Sequence, residues 1–166
     1  MNNPNIDPAK FLYSVERQFS VAVGSLWHAW AEPAALEQWY CPTVLTVVAG
    51  SVTNEPVVGG RWEVAVDVSA FGQPNAYFFG TYSQIEEFKL MVHSMHYTTV
   101  AAEFESPDYS TPSHQVTVEF EDRGDGQSWC KFTQYGEMPA EQIPRTQEGM
   151  TSYFDNLEAF LATTLV

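Results

Sequence analysis

His93-Ser94-Met95-His96 holds the residue types in this chain that most invite a metal-binding or catalytic reading. Two imidazoles separated by two residues share a face on a helix, where they could hold one metal ion. The flanking Leu90-Met91-Val92 reads as a β-strand, however, and on a strand positions three apart point to opposite faces. The spacing therefore predicts no shared metal and no resident cofactor. It leaves one imidazole to face a cavity, where a neutral ring would hydrogen-bond a ligand. Other reactive patterns are weaker. There is no Gly-x-Ser-x-Gly, and Cys41 lies before a proline with no histidine near it in sequence. Gly59-Gly60 reads as a hairpin turn, not a strand-to-helix phosphate loop. Glu86-Glu87 and the Glu103/Glu105 pair flank turns and read as solvated, so no catalytic residue is nominated. Cys41 and Cys130 match no metal or redox spacing and read as reduced, buried thiols.

Cations are scarce: 7 Lys and Arg against 21 Asp and Glu, a formal net charge of −14. Such a field repels phosphate backbones and anionic bilayers, so neither nucleic acid nor membrane is an expected partner. Scarcity draws attention to Arg17 and Arg61, each able to bridge an acidic neighbour or to anchor a ligand carboxylate; the bridge is the expected role. The N-terminal residues are polar, with no basic stretch followed by an apolar run, and no segment approaches the roughly 20 apolar residues of a membrane span. A cytoplasmic protein is expected. At 166 residues the chain is read as one domain over residues 11–166, behind a disordered lead of residues 1–10.

The elements that must position these groups follow from periodicity. Phe11 to Val23 reads as a strand, with Val15, Arg17, Phe19 and Val21 on one face. Two short helices follow, one carrying Leu26, Trp27 and Trp30, the next opening at Pro33 and presenting Leu36, Trp39 and Tyr40. From Val44 the period becomes two. Strands are expected over 44–52, 62–68, 77–88, 90–97, 115–120 and 128–135, with Asp122-Arg123-Gly124-Asp125-Gly126 as a hairpin turn. Trp62, Val64, Val66 and Val68 alternate with Glu63, Ala65 and Asp67, the pattern of a half-buried strand. Residues 98–113 are longer than a hairpin needs and are a candidate lid over a cavity mouth. The last helix carries Met150, Tyr153, Phe154, Leu157, Phe160, Leu161 and Leu165 at helical spacing, a stripe heavy in aromatics and Met. Short connections imply an antiparallel meander gripping that helix, an α+β arrangement that encloses a cavity.

Four ordered blocks carry a family resemblance. Leu26-Trp27-His28-Ala29-Trp30-Ala31-Glu32-Pro33 with Leu36 and Trp39-Tyr40, then Val58-Gly59-Gly60-Arg61-Trp62, Gly80-Thr81-Tyr82-Ser83-Gln84-Ile85, and Gly149-Met150 with Leu157-Glu158 resemble the START-like (SRPBCC) superfamily. The branch they resemble is related to the C-terminal domain of the activator of the heat-shock protein 90 ATPase. Met150 stands where that family usually has Trp, and Glu32 where it usually has Asp. The resemblance implies a helix-grip fold: a curved antiparallel sheet wrapped on a long C-terminal helix, with two short helices after the first strand. It also implies binding of hydrophobic small molecules, and only sometimes catalysis; the leading expectation here is non-catalytic binding of a hydrophobic or amphipathic small molecule. The expected cavity residues are Trp39, Tyr40, Trp62, Phe78, Met150, Tyr153, Phe154 and Leu157, with His93, His96 or Tyr97 orienting the ligand. Two alternatives stay open. One is a cyclase- or aldol-type enzyme using a cavity histidine or carboxylate; the other is a co-chaperone-like stress factor making a chaperone contact or a homodimer.

Overall fold

The computed structural model describes residues 6–164. Its strands are β1 (Phe11–Phe19), β2 (Thr46–Val47), β3 (Thr53–Asn54), β4 (Arg61–Asp67), β5 (Ala76–Glu86), β6 (Leu90–Thr98), β7 (His114–Gly124) and β8 (Gln127–Tyr135). They form one curled antiparallel sheet in the order β1-β8-β7-β6-β5-β4-β2, with β3 also pairing with β4. The helices are α1 (Val23–Ala31), α2 (Pro33–Trp39), α3 (Ala101–Glu105) and α4 (Ile143–Thr164). This is the expected helix-grip architecture. No helix among the described residues is long and apolar enough to cross a membrane.

The concave side of the sheet closes on α1, α2 and α4. Leu26, Trp30, Leu36 and Trp39 from the short helices meet Phe132 of β8 and Phe154 of α4, all nearly inaccessible to solvent. The indole of Trp39 donates to the Ala29 carbonyl at 2.9 Å, so the pair of helices is tied together from inside the core. Pro33 occupies the first turn of α2, where its missing N–H costs nothing. Along α4, Met150, Phe154, Leu157 and Leu161 are buried and Tyr153 and Phe160 half-buried, as the stripe requires; Leu165 lies outside the described residues. Polar contacts fix the rotation of this helix. Gln147 donates to the Ser14 carbonyl, Asn156 to the Cys41 carbonyl, and Arg17 of β1 pairs with Asp155 at 2.9 Å and Glu158 at 3.6 Å. Arg17 and Arg61, which pairs with Glu63, thus both serve structural bridges. Cys41 and Cys130 are buried free thiols, and burial pushes both upward in pKa.

Several boundaries differ from the sequence expectation. The single strand over 44–52 is instead a bend followed by two two-residue strands, because Gly50 turns the chain at φ 76° between them. Residues 8–10 of the expected disordered lead form one 3-10 turn capped by Asp7, while residues 1–5 lie outside the described residues. Helix α4 begins at Ile143, ahead of the apolar stripe that opens at Met150, since Pro144 fits a first helical turn and a short 3-10 turn at Ala140–Gln142 leads into it. Strand β4 is buried on both faces: Glu63 is 5% and Ala65 1% exposed. The covering element is the 98–113 segment, with α3 in it. Phe104 packs on Tyr77 with ring centroids 4.9 Å apart, and the Tyr109 hydroxyl donates to Glu63 at 3.2 Å. The segment thus lies chiefly against the outer face of β4–β6; only its end, at Pro112 and Ser113, reaches the mouth of the cavity described below.

Candidate functional site

Between the sheet and the first half of α4 lies a cavity of about 1030 Å³. Its apolar wall comes from Phe78 of β5, Met95 of β6, Phe132 of β8, Tyr40 after α2, and Met150 and Tyr153 of α4. Strand alternation explains the sheet residues. Phe78 pairs with Val64 and Tyr97 across the ladder and so shares their concave face, and Met95 lies two residues from Tyr97 on the same face. The rim is formed by the exposed Asp7, Lys10 and Glu137, with Lys10 and Glu137 joined in an ion pair.

Of the eleven residues expected from sequence, six meet this cavity: Tyr40, Phe78, His96, Tyr97, Met150 and Tyr153. Trp39, Trp62, His93, Phe154 and Leu157 lie behind the wall, in the packed core. Trp39 is held by its bond to Ala29. Phe154 and Leu157 are fully buried, and Phe154 packs on Phe19 and Trp30. Trp62 stacks on His93 with centroids 4.5 Å apart, and Tyr82 meets the same imidazole edge-on at 5.5 Å. His93 Nδ1 lies 2.8 Å from the Ser94 carbonyl and donates to it, and burial lowers its pKa to about 4, so the ring is neutral.

The two histidines face opposite sides of β6, as the strand period requires. His96 reaches the cavity boundary at the strand end, but its ring lies on the outer face, stacked on Phe79 at 4.9 Å and bonded through Nδ1 to Thr111 at 2.8 Å. Burial lowers its pKa as well. Among the described residues no cluster of three or more His, Cys, Asp or Glu has metal-binding geometry.

A polar chain in the wall was not foreseen from sequence. The Tyr13 hydroxyl of β1 lies 2.5 Å from Gln134 Oε1 of β8; Gln134 Nε2 lies 2.6 Å from His114 Nδ1 of β7; and His114 Nε2 lies 3.0 Å from the Glu137 carbonyl. A signal for it existed. Tyr13, His114 and Gln134 each stand two residues from an inward apolar residue, Val15, Val116 and Phe132, so the same alternation that predicts the core puts three polar groups on the concave face. Opposite this chain, the Tyr40 and Tyr153 rings meet edge-to-face at 5.1 Å. Burial raises the pKa of all three phenols, which keeps them neutral donors or acceptors.

The family model for Activator of Hsp90 ATPase homolog 1-like protein matches residues 20–162. The fold is also similar to solved structures. The AHSA1 protein from Silicibacter pomeroyi superposes with a TM-score of 0.73 at 20% identity, covering 92% of this chain and 98% of that one. A protein from Arthrobacter aurescens gives 0.75 at 18% identity, with 96% and 90% covered. One from Staphylococcus epidermidis gives 0.71 at 23% identity, with 92% and 90% covered. At these identities the likeness establishes the fold. No curated protein matches the chain.

Proposed function

The chain belongs to the Activator of Hsp90 ATPase homolog 1-like family, and from that premise we propose that it binds a hydrophobic or amphipathic small molecule between the sheet and α4 without transforming it. The observation that carries this reading is the cavity of about 1030 Å³ walled by Tyr40, Phe78, Met95, Phe132, Met150 and Tyr153. It has the size and the mostly apolar lining, with a few convergent polar groups, of a small-molecule site. Burial of apolar ligand surface at about 25 cal/mol per Å² supplies the driving force. Met150 contributes a flexible, polarizable wall that adapts to the ligand's outline.

Histidine-dependent catalysis has less support. His93 stands behind the wall and is bonded to a backbone carbonyl, the His96 ring is on the other face of the sheet, and His114, in the wall itself, has both ring nitrogens engaged, by Gln134 and by the Glu137 carbonyl. A chaperone contact rests on the family's name. Native mass spectrometry of the purified protein, followed by extraction of bound material, tests the proposal. A stoichiometric small-molecule adduct is the expected result. A clean apo mass, together with no thermal stabilisation by a panel of lipids and aromatic metabolites, overturns it.

A further inference from the structure

Resting on the reading of the cavity as a ligand site, the hydrogen-bond polarity of its wall narrows the ligand's chemistry. The chain that runs from Tyr13 to Glu137 ends on a backbone carbonyl, which only accepts. His114 Nε2 must therefore carry the proton, and in a neutral imidazole Nδ1 is then an acceptor. Gln134 must present its NH₂ to that nitrogen, at 2.6 Å, which turns its carbonyl oxygen toward Tyr13. The Tyr13 hydroxyl then has one role: its proton goes to Gln134 Oε1 at 2.5 Å, and toward the cavity it offers lone pairs alone. A terminal carbonyl thus fixes the polarity of three groups in succession.

Tyr40 and Tyr153 are in the opposite condition. Both front the cavity, and among the described residues neither hydroxyl has a protein hydrogen-bond partner, so each is free to donate to an occupant. Tyr13, Tyr40 and Tyr153 all line the same cavity, and the Tyr40 and Tyr153 rings touch edge-to-face at 5.1 Å, which places one acceptor and two donors around one volume. The charged wall residues, Asp7, Lys10 and Glu137, are at the exposed rim, and Lys10 is taken by Glu137. No charged side chain of the described wall is available to neutralise an ion carried inward, and burying an unpaired ion is costly.

We infer that the cavity selects an uncharged, largely apolar molecule that carries a hydroxyl group, phenolic or alcoholic. Its O–H donates to Tyr13, and its oxygen accepts from Tyr40 or Tyr153. A ketone or ether fills the donors but leaves Tyr13 facing a second acceptor. A carboxylate brings a buried charge with no counter-ion and no proton for Tyr13.

Four bicyclic probes of nearly equal shape test this at about pH 8, where histidine is neutral: naphthalene, methoxynaphthalene, naphthol and naphthoate, titrated by calorimetry against the intact protein. The expected result is naphthol about ten-fold tighter than methoxynaphthalene, as for one good hydrogen bond gained and one unpaired acceptor avoided, with naphthoate weakest. Tyr13→Phe removes the naphthol advantage. Gln134→Met reduces it by a different route, because it frees Tyr13 to donate to the methoxy oxygen. Naphthol and methoxynaphthalene binding equally, or naphthoate binding tightest, overturns the inference while the cavity remains a ligand site. Failure of all four probes to bind overturns both.

Discussion

The buried His93 makes a quantitative prediction about acid stability. Its imidazole is 3% exposed, lies flat against Trp62 at 4.5 Å, and uses Nδ1–H on the Ser94 carbonyl, so an added proton must enter at Nε2. Burial lowers the pKa from 6.5 to about 4, with the Ser94 bond opposing in part. Between those values the unfolded chain binds a proton that the folded chain refuses. Stability therefore rises with pH across this window, and falls as the solution is acidified from about pH 6.5 toward about pH 4. At about 1.4 kcal/mol per pH unit, the loss over the window is about 3 kcal/mol. Above it both states are neutral at this site, and below it both are protonated, so the contribution is flat.

The perturbation is His93→Phe, which keeps an aromatic ring against Trp62 and removes the titration. Urea denaturation at half-unit steps of pH, comparing slopes rather than absolute stabilities, is the assay. His96, whose pKa burial also lowers, and the carboxylates Asp67, Asp108 and Glu137, whose pKa values hydrogen bonds lower, titrate in both proteins and cancel. The variant's slope should be shallower than the parent's between about pH 6.5 and 4.5, by up to about 1.4 kcal/mol per pH unit. Parallel pH profiles for the two proteins would refute the claim that His93 is held neutral by burial.

Two further perturbations probe the sheet. Arg61→Met leaves the Glu63 carboxylate, 5% exposed, with only the Tyr109 hydroxyl. Arg61 is itself half-exposed, so the expected loss is about 1–3 kcal/mol by chemical denaturation, and the double change Arg61→Met with Glu63→Leu should recover most of it; a loss below about 0.5 kcal/mol in the single variant would mean that water replaces the pair. Gly80 pairs with Trp62, and a Cβ there would sit 1.9 Å from the Ser94 carbonyl oxygen, so Gly80→Ala should cost about 3 kcal/mol or more. Gly50→Ala, at φ 76° but with nothing within 4 Å of the new carbon, should cost only the backbone term of about 1–2 kcal/mol; equal melting temperatures for the two variants would show that β5 and β6 separate to admit the methyl group.

Much of this architecture is legible in the sequence because it is written in period. The α4 stripe, the alternation of β4 and the opposed faces of His93 and His96 all follow from 3.6- and 2-residue repeats that local sequence carries. Depth is not local. Phe154 and Tyr153 are adjacent on α4, yet one is sealed against Trp30 and Phe19 and the other fronts the cavity, because α1 and α2 cover only part of the helix. Trp62 and Phe78 share the concave face, but His93 and Tyr40 close over Trp62 and not over Phe78. The outer face of β4 reads as solvent-facing from its Glu63 and Asp67, and only the fold reveals that residues 98–113 cover Glu63. The Tyr13–Gln134–His114 chain joins three strands. Each contributor looks like a lone polar residue in its own segment, and only the β1–β8 and β7–β8 registers bring them together.

The charge distribution and the cavity's chemistry follow from the same scarcity. With 7 cations in the chain, five are engaged in ion pairs among the described residues: Lys10 with Glu137, Arg17 with Asp155 and Glu158, Arg61 with Glu63, Lys89 with Glu86, and Arg123 with Glu121. Arg17 fastens β1 to α4, Arg61 fixes the carboxylate under Tyr109, and Lys10 closes the rim. Inside its rim, the cavity between those fastenings is left with phenols, amides, hydroxyls and imidazoles as its polar groups. Such groups recognise by the direction of a hydrogen bond and not by charge, so on the proposed reading selectivity would depend on which atom of the wall holds each proton. That assignment is set at Glu137, whose backbone carbonyl cannot change role, and it is carried inward through His114 and Gln134 to the Tyr13 oxygen.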